Sequence, residues 1–376
     1  MKNLKYLCGV LFLGFLLMIQ IISCHKGGDD QIGFTPGTPF ITSDLAGTWH
    51  IFATNGASSN GTPSGNIVQG NLRGMVSFNE FGQVTGGSYA RSNGGIASLT
   101  GGLVTIDNTG VLSGSATTNL SVNFYIGSGK MDSSKTLISF VATTNNGEFD
   151  FFTAIRDGGD FASSDLANTW YVFSTSGDYA KMAISDAGNG AVFLNSPGGG
   201  FFTIDIAGSL TGAGFVTTNS GTALYLTNSI TEKGKMNSSK DMMSFAASTI
   251  SGKFDLATAI QAGGSFIPSN LAGTWYIFGS SSNGANKVTM SGTIVLDSSG
   301  QVTGGSYIRS DAGTASFTGG TLTIDNAGVL SGSVNTNIND NITLLSGKMH
   351  PSKGMMSLVA NTNLGELDFL ICLKGS

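Results

Sequence analysis

One phrase is written three times in this chain. It reads DLAGTWHIF at Asp44–Phe52, DLANTWYVF at Asp165–Phe173 and NLAGTWYIF at Asn270–Phe278. Trp49, Trp170 and Trp275 are the only tryptophans and stand 121 and 105 residues apart. Other landmarks recur in the same order. TIDNTGVLSGS, TIDIAGSLTGA and TIDNAGVLSGS begin at Thr105, Thr203 and Thr323, and GKMDSSK, GKMNSSK and GKMHPSK begin at Gly129, Gly234 and Gly347. The repeats close alike in GEFDFFTAI, GKFDLATAI and GELDFLICL. Such a period is too long for a solenoid coil or a propeller blade, and it has the size of a small domain.

Punctuation within a repeat is regular. In the third, turn signals fall near Gly300, Gly313, Gly328, Asn341, Lys353 and Gly365, with alternating apolar and polar residues between them, as in Thr321-Leu322-Thr323-Ile324. DSSG and DNAG read as hairpin turns, in which Asp bonds back to the backbone and Gly takes the left-handed position. All six prolines (Pro36, Pro39, Pro63, Pro197, Pro268, Pro351) fall in linkers or turns, where no sheet donor is lost. The count is eight strands per repeat in up-and-down order. A flat sheet of that size leaves two unpaired edges, and closing it removes them. Each repeat is therefore expected to be a small barrel, all-β, filled by side chains or holding one small ligand.

Composition agrees. Hydrophobic residues make up 40%, enough for packed cores, and only 11% are charged. The 56 glycines cluster with Ser, Thr and Asn between short apolar alternations and show no three-residue period. No basic stripe exists, so nucleic acid is excluded as a partner.

The amino terminus carries an address. Lys2 and Lys5 precede an apolar run from Tyr6 to Ile22, which ends in Ile21-Ile22-Ser23-Cys24. A charged start, a short apolar middle and a small residue before a cut describe a secretory signal, and the run is too short for a spanning helix. Loss of the signal takes Lys2 and Lys5 away and moves the formal charge from −5 to −7. The ending resembles the lipobox of bacterial lipoproteins, with Ile21 where that family usually has Leu. The resemblance implies cleavage after Ser23 and lipidation of Cys24. Cys8 leaves with the signal and Cys372 then has no partner, so no intramolecular disulfide is available. Residues 24–40 are rich in Gly, Pro and charge and read as a tether, with a reach of about 55 Å at ~3.3 Å per residue. His25 differs from the aspartate of an inner-membrane retention signal. Lys26 with Asp29 and Asp30 is loosely similar to the acidic export tags of some surface lipoproteins.

Gly273-Thr274-Trp275, opening an eight-strand meander, resembles the start of lipocalin and avidin-type (calycin-like) barrels. In those families the tryptophan packs near one end of the barrel as a plug, and the resemblance extends that role to Trp49, Trp170 and Trp275. Asn168 replaces the glycine in the second repeat. Biotin binding is rejected, because avidin-type pockets use several further tryptophans and this chain has none.

No catalytic set is assigned. GSGK at Gly127–Lys130 lacks the spacing of a phosphate loop and reads as a strand lysine near a turn. Glu148 with Asp150, and Glu366 with Asp368, each share one strand face, which could bind calcium or serve acid–base chemistry. Lys253 beside Asp255 breaks the pattern, so a solvated strand face is the expectation. Lys130, Lys235 and Lys348 recur but lie two strands from those aspartates, about 9–10 Å at ~4.8 Å per strand. His25, His50 and His350 are too few and too scattered for a metal cluster or a Ser–His–Asp set, and are expected as surface or packing residues. The alternating apolar faces of Trp275/Ile277 and Tyr276/Phe278 predict one face inside the barrel and one used for packing or contact.

The expectation is an exported outer-membrane lipoprotein on the periplasmic or cell-surface side. Its parts are a signal peptide (1–23), a lipidated tether (24–40), and β-barrel repeats at 41–159, 160–264 and 265–376. Its expected role is non-enzymatic, in adhesion, assembly or multivalent binding, without metal or cofactor. The alternative is a lipocalin-like carrier of small apolar ligands inside the barrels. Expected partners are the membrane, through the N-terminal lipid, and a small apolar ligand or a surface partner.

Overall fold

The repeated phrase builds the entrance to each sheet. Short 3-10 turns at Thr42–Leu45, Ser163–Leu166 and Pro268–Leu271 precede the opening strands. The Asp44, Asp165 and Asn270 side chains accept the backbone N–H of Ile41, Ala162 and Ile267 at 2.9, 2.8 and 3.0 Å. That bond satisfies a donor the turn would otherwise leave free. Leu45, Leu166 and Leu271 are fully buried, and their carbonyls accept the indole N–H of Trp49, Trp170 and Trp275 at 2.8, 2.8 and 2.7 Å. Gly47 and Gly273 take φ of 114° and 120°, a region that suits glycine.

The computed structural model describes residues 38–56, 71–91, 95–185, 191–193, 198–216, 224–225, 234–249, 254–283, 286–311 and 313–375. The expected signal peptide, Cys24 and the tether up to residue 37 lie outside the described residues.

In the first repeat, β1 (Gly47–Gly56), β2 (Asn71–Phe78), β3 (Val84–Arg91), β4 (Ile96–Ile106), β5 (Val111–Thr118), β6 (Asn123–Met131), β7 (Leu137–Thr144) and β8 (Phe149–Arg156) pair in sequence order. Strand β8 returns to pair with β1, which closes an antiparallel barrel. The second repeat runs β9 (Asn168–Ser174), β10 (Tyr179–Ile184), β11 (Ala191–Phe193), β12 (Gly198–Ile204), β13 (Leu210–Val216), β14 (Leu224–Tyr225), β15 (Gly234–Met236), β16 (Met242–Thr249) and β17 (Phe254–Gln261). Here β14 and β15 both pair with β16, in the place of a single sixth strand. Among the described residues this sheet stays open between β13 and β14, with one bridge, Ser209 to Lys235, across the gap. The third repeat closes like the first, through β18 (Gly273–Asn283), β19 (Asn286–Leu296), β20 (Val302–Arg309), β21 (Gly313–Ile324), β22 (Val329–Thr336), β23 (Ile342–Met349), β24 (Met355–Thr362) and β25 (Leu367–Lys374).

The hairpins follow the expected turn chemistry. Asp107, Asp205, Asp297 and Asp325 each accept the N–H groups two and four residues on, at 2.8–2.9 Å. Tight closure also needs strands to approach without side chains. A Cβ on Gly74 would lie 2.1 Å from the Ser88 carbonyl oxygen, and one on Gly292 2.2 Å from that of Ser306.

Four buried apolar clusters form among the described residues. Three lie inside the sheets, and the fourth lies between them. The fourth is built from outward-facing residues of the first and last two strands of each repeat, among them Phe52, Phe151, Phe173, Leu256, Phe278 and Phe369. Matching positions meet across it. The Phe151 and Phe369 rings are 5.9 Å apart, Thr153 Oγ1 lies 3.5 Å from Ser244 Oγ, and Thr258 Oγ1 lies 2.9 Å from Ser357 Oγ.

Buried lysines repeat the same rotation. Lys235 of the second repeat bonds Asp157 at 2.6 Å, and Asp157 bonds His50 of β1 at 3.2 Å. Lys348 of the third lies over Tyr171 of the second at 5.5 Å, and Lys130 of the first lies over Tyr276 of the third at 5.2 Å. Second meets first, third meets second and first meets third, so the three sheets form a closed ring with pseudo-threefold symmetry. Equivalent strand levels meet along the axis, so equivalent ends of the three sheets lie on the same face of the ring. One step of the hydroxyl column is missing. Ile371 stands where the other repeats have Thr153 and Thr258, and Ser139 donates to the Phe152 carbonyl at 3.3 Å instead.

Phe369→Ala should destabilise the whole ring by about 3–5 kcal/mol, the usual cost of emptying a buried phenylalanine site. Urea unfolding should show a lower midpoint in one transition that includes signals from all three repeats. Loss confined to the third repeat, or a shift below ~1 kcal/mol, would contradict a shared junction.

Candidate functional site

Each repeat has two unlike ends. At the tryptophan end, Trp49, Trp170 and Trp275 are fully buried, and Arg156 and Lys374 lie over the first and third indoles at 5.7 and 5.2 Å. The buried lysines sit at this end too. Lys130, Lys235 and Lys348 donate to the carbonyls of Thr109, Ala207 and Ala327, in the turn after the fourth strand position. They lie 5.0, 5.7 and 4.6 Å from the rings of Phe40, Phe161 and Phe266. The phosphate-loop look-alike around Lys130 is thus a strand lysine held by a turn carbonyl and two aromatic faces.

The opposite end, here called the mouth, carries the carboxylates. Asp150, Asp255 and Asp368 hold the same position on β8, β17 and β25 and are no more than 1% exposed. The expectation of a solvated strand face is overturned. Period two assigns Glu148 and Asp150 to one face correctly, but that face is the barrel interior, since Phe152 and Ala154 continue it into the core.

The charged and polar groups around the aspartates differ between repeats. In the first barrel, Arg91 of β3 lies 3.1 Å from Glu148 and 3.5 Å from Asp150, with its guanidinium 5.9 Å over the Tyr89 ring. Strands β3 and β8 are not neighbours, so this guanidinium spans the mouth. In the third barrel, Arg309 grips Glu366 with two nitrogens, one at 2.9 Å, binds Asp311 at 3.0 Å, and lies 3.8 Å from Asp340. In the second repeat, hydroxyls replace the arginine. Thr175 and Ser176 donate to Asp255 at 2.5 and 2.6 Å, and Ser176 Oγ also lies 2.9 Å from Asp178 Oδ2. Sequence reasoning missed Arg91 and Arg309. The recurring Tyr-x-Arg of Tyr89–Arg91 and Tyr307–Arg309 was the available signal.

Burial sets the protonation of these groups. It pushes Asp150 and Asp368 up to about 7, against the opposing pull of Arg91 and Arg309. It lowers Lys130 and Lys348 to about 8, against the pull of Asp107 and Asp325. The two described histidines are buried: His50 bonds Asp157 of its own repeat, which in turn holds Lys235 of the second, and His350 Nε2 lies 2.9 Å from Asp241 of the second repeat; His25 lies outside the described residues. Cys372 is buried in the third barrel, where desolvation raises its thiol to about 12. Among the described residues, no three ligating side chains are placed to share a metal ion.

The first barrel contains an apolar cavity of about 70 Å³. Leu45 and Trp49 line it on the tryptophan side, and Tyr89 and Phe124 on the mouth side. Tyr89 and Phe124 meet edge to face at 5.6 Å, as do Phe124 and Phe152 at 5.8 Å. An all-apolar space of this kind stays dry and accepts small apolar molecules.

These shifts fix a pH dependence. Folded Asp150 and Asp368 keep their protons to about pH 7, whereas an unfolded carboxyl releases its proton near pH 4. The folded state binds more protons in that window, so their contribution to stability falls as pH rises through it. Folded Lys130 and Lys348 lose their protons near pH 8, whereas an unfolded lysine does so near pH 10.4. The unfolded state binds more protons there, so stability rises again. The four groups together contribute least between about pH 7 and 8. Asp368→Asn, which mimics the protonated acid, should gain on the wild type when urea unfolding is moved from about pH 5 to about pH 8. An unchanged difference between the two proteins would show that Asp368 stays ionised throughout.

The chain matches no family model and no curated protein. Its likenesses to solved structures are loose. A double mutant of transferrin binding protein B from Haemophilus parasuis aligns over 91% of this chain and 78% of its own, at 11% identity and a TM-score of 0.26. Isotype 1 transferrin binding protein B from serogroup B Neisseria meningitidis aligns over 88% and 77%, at 10% identity and 0.29. HpuA from Kingella denitrificans, solved in complex with human haemoglobin, aligns over 58% and 90%, at 13% identity and 0.31. At these scores the likenesses carry no argument, and the fold rests on the strand pairing described above.

Proposed function

We propose that this chain is an exported lipoprotein, held to the outer membrane through Cys24, whose ring of three sheets serves as a non-enzymatic platform for binding at the cell surface. The observation that carries this reading is the ring itself. It places the three mouths on one face. The chain enters the first barrel through Phe40, whose backbone N–H bonds the Asn108 carbonyl at 3.3 Å, at the tryptophan end. A tether attached there leaves the mouth face turned away from its point of attachment. Three mouths on one rigid face suit multivalent contact, because a partner that engages one meets the others at high local concentration. In the same reading the tryptophans are structural plugs.

The mouths favour binding over catalysis. All three keep the buried aspartate, yet its surroundings differ: an arginine lies 3.5 Å away in the first repeat, a pair of hydroxyls binds it in the second, and in the third the arginine binds Glu366 and Asp311 instead. A reaction would need one repeated set of acid, base or nucleophile. A brace needs only that the charge be satisfied.

A second reading, a carrier of small apolar molecules, is favoured by the apolar cavity of the first barrel.

Cys24→Ser should move the protein from the membrane fraction to the soluble fraction. Protease added to intact cells should cleave the wild-type chain. Cleavage that needs a permeabilised outer membrane would place the mouths in the periplasm and end the surface-binding reading.

A further inference from the structure

We infer that the Arg91–Glu148–Asp150 bridge is the gate of the apolar cavity in the first barrel, and that a small apolar molecule enters past it from the mouth. The inference rests on the carrier reading and adds the route of entry and the residues that control it.

The two ends of the cavity are closed by different physics. At the tryptophan end, Leu45 and Trp49 are fully buried, and the indole N–H is tied to the Leu45 carbonyl at 2.8 Å. The turn holding Leu45 is fixed by the Asp44 side chain on the Ile41 N–H, and Arg156 Nη2 donates to the Ala46 carbonyl at 2.6 Å. Opening there would break several backbone hydrogen bonds and expose an indole. At the mouth, Tyr89 and Phe124 form the cavity wall. Above them lies Arg91, whose guanidinium covers the Tyr89 ring and reaches across to Glu148 and Asp150. Among the described residues this closure is made of side chains alone. Its Coulomb gain is offset by the desolvation of the buried Asp150 and of the half-buried Arg91 and Glu148, so it is the weaker of the two seals. Rotation of Arg91 away from β8 frees Tyr89 on its outer side without unpairing a strand.

The third barrel provides a control, since Arg309 makes a similar but tighter cross-mouth grip on Glu366 in a different barrel.

The test uses xenon as the apolar probe and the intact mature chain, with entry and exit rates read by xenon NMR exchange. The wild type should show one slowly exchanging bound signal, and Ala116→Leu, which fills the cavity wall, should abolish it. Arg91→Met should raise the entry and exit rates together by roughly tenfold, equivalent to about 1.4 kcal/mol off the opening barrier. Arg91→Lys, which keeps the charge, should restore much of the slow exchange, and Arg309→Met should leave it unchanged. Equal acceleration by Arg309→Met would reduce the effect to general loosening and overturn the gate. Unchanged rates in Arg91→Met, or a faster exit without faster entry, would also overturn it while leaving the cavity a binding site. A wild type that binds no xenon would remove the carrier reading itself.

Discussion

The outward face of the closing strands is apolar, and the rest of the structure follows from that constraint. An isolated small barrel buries one face of each strand and leaves the other in water. Here the first and last two strands of each repeat carry Phe, Met, Leu and Ile on both faces. Three such barrels strung on flexible linkers would each expose a greasy stripe. Packing the stripes together buries them all at once, and three copies of one surface satisfy this symmetrically by closing a ring. The hydroxyl column and the buried lysines then meet the polar needs of that junction.

Much of this architecture could be read from residues close together in the chain. The Asp-x-x-Gly turns, the alternation and the repeated opening phrase report on contacts within a few residues, and they describe strand order well. The burial of Asp150 and Lys130 could not be read in that way. Period two says which residues share a face and is silent on what covers the face. The partner of Asp150 comes from β3, three strands away, and one partner of Lys130 comes from Tyr276 in another repeat. Charge scarcity was itself a clue. In a chain with so few charged residues, a lysine that recurs at one position in all three repeats is better explained by a fixed partner than by solubility.

The repeats also show where rules of sequence similarity loosen. The second repeat keeps the opening turn, the tryptophan, the lysine and the aspartate. Yet its fifth and sixth strand positions are joined by only one bridge among the described residues. Ile371 breaks the Thr–Ser column without breaking the junction, because an apolar residue is at home in that cluster and Ser139 finds a carbonyl of its own. A buried hydroxyl needs a partner, whichever partner the geometry allows.

Comparing the three copies separates what the ring requires from what each copy does alone. The tryptophan end is nearly invariant: the same capped turn, the same indole-to-carbonyl bond, the same lysine on the same aromatic position. The junction tolerates only exchanges that preserve its apolar character. The mouths diverge most. Arginine gives way to hydroxyls, and Val122 of the first repeat becomes Asp340 in the third, which adds a buried carboxylate beside Arg309. A scaffold that must hold its shape restrains one end of every barrel and leaves the other free to change. The three mouths are therefore better regarded as distinct surfaces on a common frame than as three copies of one site.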